Sequence, residues 1–242
     1  MSTALVIGSN GGIAQAMVEA LLQMDDIEYV HTVSRHSQAP VTPTVTHFVI
    51  DSQDESQVAR FIQTQKEAKV HYTYVISTVG VLHSEQGLTT LKPEKRLEDV
   101  QPAALAEYFA VNTIVPMIWL KHLLPVLPKT RCVIAFLSAR VGSISDNRLG
   151  GWYGYRASKA ALNMCIKNTA IEYQRRNKHA ILLSYHPGTV DTGLSQPFQA
   201  NVPKGKLFTP AFTAQCLMRI LQEVQPEQSP YYVDWQGVEI PW

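Results

Sequence analysis

Short apolar runs alternate with longer amphipathic stretches along nearly all of this 242-residue chain. No other feature restricts the fold as strongly. Strand candidates fall at 4–7, 29–34, 46–50, 73–78, 132–137, 181–185 and 231–233, and helix candidates at 13–24, 55–66, 102–124, 157–175 and 211–223. Strands that are apolar on both faces, each followed by a helix, imply a parallel sheet covered on both sides. With right-handed crossovers this becomes an α/β fold, a Rossmann-type, doubly wound, mostly parallel seven-stranded sheet. No repeat, low-complexity tract or Pro/Gly-rich linker divides the chain, so one domain over 1–242 is expected.

Two stretches, 81–100 and 193–208, break the alternation, and both follow strand ends. The ligand crevice of an open α/β sheet lies beyond the carboxyl ends of its strands, which makes them candidate substrate loops. Ordinary surface excursions are the plainer alternative.

Composition excludes more than it asserts. With 21 Lys and Arg against 20 Asp and Glu, the net charge of +1 leaves no electrostatic footprint for nucleic acid or an anionic membrane. No apolar run reads as approaching the roughly 18 residues that span a bilayer. The first residues lack the basic flank and small-residue cleavage site of a signal peptide. Cys132, Cys165 and Cys216 are far apart, form no CxxC pair, and have no histidine at metal-ligand spacing. Free thiols in a reducing cytoplasm, and no metal, are the expectation.

Directly after the first strand comes Gly8-Ser9-Asn10-Gly11-Gly12-Ile13-Ala14, which runs into a helix. Glycines let the backbone bend and approach a pyrophosphate, and the helix N-terminus behind them offers free N–H groups and a positive dipole end. The position of this turn, opening an alternating chain, points to dinucleotide binding. The second strand ends Val33-Ser34-Arg35-His36, without the acidic residue that would accept from an adenosine ribose. Arg35 suits the 2′-phosphate of NADP(H) over NAD(H), with a solvated arginine at a strand end as the alternative. Asp51 and Ser52, just past the third strand, are placed to reach an adenine.

Tyr155 and Lys159, four apart in Trp152-Tyr153-Gly154-Tyr155-Arg156-Ala157-Ser158-Lys159, share one helix face. A phenol near pKa 10 is a poor acid–base group at neutral pH, and a nearby ammonium lowers that value. Trp152 and Tyr153 upstream belong either to a substrate pocket or to the core.

These motifs, with Asn112 in Phe109-Ala-Val-Asn-Thr-Ile and the run Pro187-Gly188-Thr189-Val190-Asp191-Thr192, occur in the order of the short-chain dehydrogenase/reductase family. The chain resembles that family over nearly its whole length. The segments 140–147 and 150–159 resemble the branch of C-factor-type signalling proteins and sniffer-like carbonyl reductases. The resemblance implies hydride transfer between a nicotinamide and a small carbonyl or alcohol substrate. Tyr155 would be the acid or base, Lys159 would hold the nicotinamide ribose, and Asn112, in a distorted helix, would fix a water linked to the lysine. It further implies cofactor contacts from Gly8, Ser9, Asn10, Gly12, Ile13, Ser34, Arg35, Asp51, Ser52, Thr78, Val79, Gly80, Pro187, Gly188, Val190 and Thr192. A homodimer or homotetramer is also implied. A dinucleotide-binding signalling protein with little or no turnover is the rival reading.

The chain departs from the family at the serine that usually faces the substrate oxygen: counting back from Gly142 places Ala139 there. Ser138 beside it and Ser143 after the glycine are the candidate replacements. Milder departures are Ile7 for a threonine, Ser77-Thr78-Val79-Gly80 for Asn-Asn-Ala-Gly, and Ala14 for a third glycine.

Overall fold

The computed structural model describes residues 2–36, 42–85 and 90–242. In chain order the strands are β1 (Thr3–Ile7), β2 (Tyr29–Ser34), β3 (Val45–Val49), β4 (Tyr72–Ser77), β5 (Cys132–Leu137), β6 (Ala180–His186), β7 (Thr189–Val190), β8 (Leu207–Phe208) and β9 (Tyr231–Asp234). Seven of them form one sheet in the order β3-β2-β1-β4-β5-β6-β9, and every neighbouring pair is parallel. This is the expected Rossmann-type sheet. The two-residue strands β7 and β8 pair with each other outside it; they are too short to leave a periodic signal in the sequence.

Helices α1 (Gly12–Leu21), α2 (Glu55–Glu67), α3 (Pro102–Phe109), α4 (Val115–Leu123), α5 (Tyr153–Arg176) and α6 (Pro210–Glu223) cover the two faces. Alternation along each strand divides the core. Leu5 and Ile7 of β1 pack with Phe61, Trp119, Leu120 and Ile166 on one face. Ala4 and Val6 pack with Met17, Leu21, Leu217 and Leu221 on the other. All four of these β1 residues are fully buried.

The helix expected over 102–124, with a distortion at Asn112, is divided by a π-helical turn at Ala110–Ile114, between α3 and α4. One expectation is corrected. The run Pro102–Val126 is also long and apolar enough, with a mean hydropathy of 1.4 over 18 residues, to cross a membrane by length and composition. Its apolarity serves the core instead, where Trp119, Leu120 and Leu123 are buried against the sheet.

Strand order reverses at β1, whose neighbours are β2 and β4. Chain segments leave the carboxyl ends of these strands in opposite directions, and a crevice opens between them. Of the two candidate loops, 81–100 folds back through paired backbone bonds between Ser84 and Leu91, with residues 86–89 outside the described set. The other, 193–208, holds a helical turn at Gln196–Asn201 and ends in β8. The two meet where His83 Nε2 bonds the Gly193 carbonyl at 3.0 Å and the His83 ring lies edge-on to Phe198.

Candidate active site

A cleft of about 990 Å³ occupies that crevice. Gly8 makes the turn into it with φ +86°, and its N–H donates to the Val33 carbonyl at 2.8 Å. A Cβ there would lie 2.9 Å from Val79 Cγ2, so both backbone conformation and space require glycine. Helix α1 starts behind it with no side-chain cap and no acid in its first turn. Its opening residues Gly11, Gly12 and Ile13 border the cleft. A Cβ on Gly11 would meet nothing within 4 Å, so the space in front of the helix is open.

Of the remaining residues predicted to contact a cofactor, Asn10, Arg35, Asp51 and Ser52 border the cleft, as do Val79, Gly80 and Thr192. Arg35 is exposed and makes no hydrogen bond or ion pair with any described residue. Asp51 Oδ1 accepts from the Gln53 N–H at 3.0 Å. Three further residues expected to contact a cofactor also help hold the turn together. The Ser9 hydroxyl is buried and donates to Val33; Ser34 donates to the His36 carbonyl at 2.8 Å; Thr78 Oγ1 lies 3.1 and 3.0 Å from the Ile7 and Gly8 carbonyls, with one hydrogen to share between them. Ser34 and Thr78 still border the cleft, whereas Ser9 does not. Pro187, Gly188 and Val190 also stand back from the cleft and frame the segment that carries Thr192 to it. Gly188 has φ +77° with the Phe208 ring where a Cβ would lie, and the Pro187 carbonyl accepts from Thr213.

Behind the cleft wall the structure gathers Tyr155, Lys159 and Asn112. Lys159 is 3% exposed, and its Nζ donates to the carbonyl of Leu137 at 2.8 Å. Nζ also lies 5.9 Å from the centre of the Tyr155 ring. A Cβ on Gly80 would be 3.4 Å from both Lys159 Nζ and Asn112 Oδ1, so the two residues flank that glycine. Asn112 is fully buried within the π-helical turn. Its Oδ1 accepts from the Val81 N–H at 2.8 Å, and its Nδ2 donates to the Val81 carbonyl and to Ser158 Oγ at 2.9 and 3.0 Å. Ser158 in turn donates to the Tyr155 carbonyl at 2.8 Å. Asn112 therefore ties the end of β4 to the helix that bears Tyr155, with both amide hydrogens committed.

Burial controls the titration of the pair. It drives the Lys159 ammonium down to about 8. It also drives the Tyr155 phenol above its ordinary value, with repulsion from Tyr232 adding to the rise. The expected lowering of the phenol by the lysine does not dominate here. At 5.9 Å from the ring centre, and with its own charge destabilised, the ammonium is outweighed by desolvation. A phenol held in its protonated form is a proton donor.

Around Tyr155 lies a third apolar cluster, separate from the two sheet faces: Leu82, Leu91, Ala104, Tyr108 and Ala139, with Val81, Val141, Trp152 and Phe198 packed against it. Trp152 thus belongs to this wall, its ring edge-on to Tyr155 and tilted against Phe198.

Both serines that are candidates to replace the missing hydroxyl are engaged within the protein. The Ser138 O–H donates to Asn163 Oδ1 at 2.7 Å. The Ser143 O–H donates to the Pro241 carbonyl, and its oxygen accepts from the Asp146 N–H at 3.0 Å. A hydroxyl has one hydrogen to donate, so Ser143 is spent on the chain end. Residues that sequence reasoning missed include Tyr232, whose hydroxyl donates to the Ala139 carbonyl at 2.7 Å, and Glu94, buried beneath the start of α5. Neither stands in a motif; one lies in a late strand and the other in a polar loop.

The short chain dehydrogenase family model matches residues 2–203. C-signal of Myxococcus xanthus is 33% identical over 147 residues, covering 60% of this chain and 83% of that protein. Carbonyl reductase Sniffer of D. melanogaster superposes with a TM-score of 0.82 at 20% identity, covering all of both chains. The NADPH-bound carbonyl reductase from chicken fatty liver gives the same TM-score and identity, covering 100% of this chain and 98% of its own. The chain belongs to the short chain dehydrogenase family of oxidoreductases.

Proposed function

We propose that this chain is an NADP(H)-preferring carbonyl reductase, with Tyr155 as the proton donor and a small or medium-sized, partly apolar carbonyl compound as substrate. The observation that carries this reading is the placement of Lys159 and Asn112 against Gly80 of the cleft wall, with the Tyr155 ring 5.9 Å from Lys159 Nζ, beside a cleft opened by an uncapped helix N-terminus.

The residues present fit a dinucleotide. Gly8 leaves no room for a side chain, the first turn of α1 has no competing acid, and Arg35 borders the cleft without a protein partner among the described residues. Gly8, Asn10, Gly12 and Ile13 would hold the pyrophosphate, Asp51 and Ser52 the adenine, and Arg35 the 2′-phosphate. Gly80, Thr192 and Lys159 would hold the nicotinamide half. When bound, the nicotinamide supplies or accepts the hydride.

The protein's own part is proton delivery and exclusion of water. Tyr155, protonated because burial disfavours its phenolate, gives its proton to the carbonyl oxygen as negative charge develops there. Lys159, held on the Leu137 carbonyl, favours the phenolate left behind. The apolar side chains of Val81, Leu82, Val141, Trp152 and Phe198 around Tyr155 suit a partly apolar substrate.

The test is NADPH oxidation against a panel of aliphatic and aromatic carbonyl compounds, comparing wild type with Tyr155→Phe. Turnover confined to the wild type supports the reading; equal residual rates in both overturn the role of Tyr155. A second reading, a dinucleotide-binding signalling protein with little turnover, is favoured by Ala139 and by the likeness to C-signal. It predicts cofactor binding without reduction of any panel member.

We further read the chain as a single dinucleotide-binding domain, with 81–100 and 193–208 as its substrate loops, working in the cytoplasm as a homodimer or homotetramer. Its unpaired cysteines Cys132, Cys165 and Cys216 agree with a reducing compartment.

A further inference from the structure

We propose that Glu94 is the positioning residue of this site: by capping α5 from the loop over 81–100, it sets where Tyr155 and Trp152 stand. The inference rests on Tyr155 being the proton donor.

Helix α5 is 24 residues long and begins without a side-chain cap from Trp152 and without an acid in its first turn. Its leading N–H groups therefore need acceptors from elsewhere. Glu94 supplies them. Its two carboxylate oxygens accept from the Gly154 N–H at 3.1 and 3.3 Å, and its carbonyl accepts from the Trp152 N–H at 2.5 Å. The residue is 3% exposed and makes no ion pair with any described residue. A buried carboxylate without a cation is tolerable where N–H groups and the positive end of a helix face it.

The surroundings are shaped to that contact. A Cβ on Gly154 would lie 2.4 Å from Tyr108 Cδ2 and 2.9 Å from Glu94 Oε1, so only glycine admits the carboxylate. Trp152 adopts a left-handed conformation, φ 53° and ψ 44°, which a bulky side chain avoids unless neighbours impose it. The Glu94 carbonyl is the bond on its N–H, and the Trp152 carbonyl accepts from Arg156 at 2.8 Å. One residue thus fixes the strained turn, the first turn of the helix, and the aromatic wall facing Tyr155.

Glu94 acts through these neighbours and not by touching reacting atoms. It also makes the loop and the proton donor one unit. The loop that carries it is anchored where Tyr108 donates to the Leu82 carbonyl at 2.7 Å, and the Tyr108 ring stands edge-on to Tyr155. Misplacement of a reacting group by about 1 Å costs on the order of 100-fold in rate.

Three variants test the proposal. Glu94→Ala removes both acceptors of the carboxylate. Glu94→Gln keeps one oxygen at the same reach. Asn177→Ala removes a bond at the far end of α5, where Asn177 Nδ2 donates to the Pro128 carbonyl at 2.8 Å. Amide exchange of the cofactor-free protein, read by mass spectrometry over 152–157 and 165–176, needs no turnover. Glu94→Ala is expected to speed exchange over 152–157 by tenfold or more and leave 165–176 unchanged. It should lower kcat 10- to 100-fold with the KM for NADPH within twofold. Glu94→Gln should restore protection and most of kcat, and Asn177→Ala should keep kcat. Unchanged exchange over 152–157 in Glu94→Ala overturns the proposal. So does a kcat equal to that of Asn177→Ala, or a Gln variant as impaired as Ala. A wild type inactive on every carbonyl overturns the reductase reading, while the exchange arm still decides whether Glu94 holds the helix.

Discussion

The Ser138 hydroxyl donates to Asn163 Oδ1 at 2.7 Å, which commits the hydroxyl at the end of β5 to the middle of α5. The next residue, Ala139, packs in the apolar cluster that contains Tyr155, and its carbonyl is held by Tyr232. In the proposed reaction the carbonyl oxygen would therefore take its proton from Tyr155 without a second donor at position 139.

Ala139→Ser should restore that second donor. Donors preorganised for developing negative charge are worth about 3–4 kcal/mol elsewhere, a factor on the order of 100 or more. With Ala139 already 9% exposed, a hydroxyl has little room to adjust, so a tenfold rise in kcat for carbonyl reduction is expected, with NADPH affinity unchanged. Steady-state kinetics on the best panel substrate measures it. A fall in kcat would show that the substrate oxygen sits elsewhere.

How much of this was legible in the sequence depends on whether a residue acts locally. The Gly8 turn and the Tyr155/Lys159 spacing are legible because each is set within one turn of its own element; Asn112 stands out as a polar residue in an apolar run, but its partners Val81 and Ser158 lie far along the chain. The hydroxyls of Ser9, Ser34 and Thr78 each bond a backbone carbonyl of their own turn or a neighbouring strand, partners that the sequence does not show. Which way a short polar side chain turns at a strand end is decided by tertiary neighbours. Glu94 reaches Gly154 across 60 residues of chain, and no periodicity or motif encodes that meeting. The same holds for Tyr232 and Ala139, 93 residues apart.

Lys159 should make stability depend on pH in the alkaline range. Its folded pKa of about 8 lies below the ordinary 10.5, so between these values the unfolded chain binds the extra proton. Stability rises with pH wherever the unfolded state binds more protons. The burial penalty is thus full below about pH 8 and relieved as pH climbs towards 10.5. Lys159→Met has no such penalty. Its advantage over wild type in urea unfolding should be larger at pH 7 than at pH 10.5 by about 3 kcal/mol, while its reductase activity is lost. An advantage independent of pH would mean that the lysine is not desolvated.

Arg35 is exposed at the end of β2, borders the cleft, and has no partner among the described residues. A charge-assisted bond to a phosphate contributes about 1.5–3 kcal/mol. Arg35→Ala should therefore raise the NADPH dissociation constant by roughly 10- to 100-fold and that of NADH by less than twofold. Added salt should weaken NADPH binding to the wild type more than to the variant. Fluorescence titration of both cofactors decides the matter: equal rises would remove Arg35 as the 2′-phosphate ligand.

The outer side of α5 carries Met164 and Ile171, 57% and 48% exposed, seven residues apart and so on one face of the helix. Ile114, 53% exposed, lies where the π-helical turn meets α4, beside a groove bounded by Thr169, Glu172 and Tyr173 of α5. Apolar side chains exposed together on adjacent helices favour burial against a second copy of the same surface, which two-fold symmetry permits. Ile171→Glu places a charge on that face without entering either core cluster. If the homodimer or homotetramer proposed above uses this face, Ile171→Glu should run as a monomer in light scattering where the wild type does not, with the circular dichroism spectrum unchanged. Because Tyr155 and Lys159 lie on the same helix but are buried inside the chain, the monomer should keep NADPH binding. An Ile171→Glu protein with the wild-type mass in solution would place the interface elsewhere.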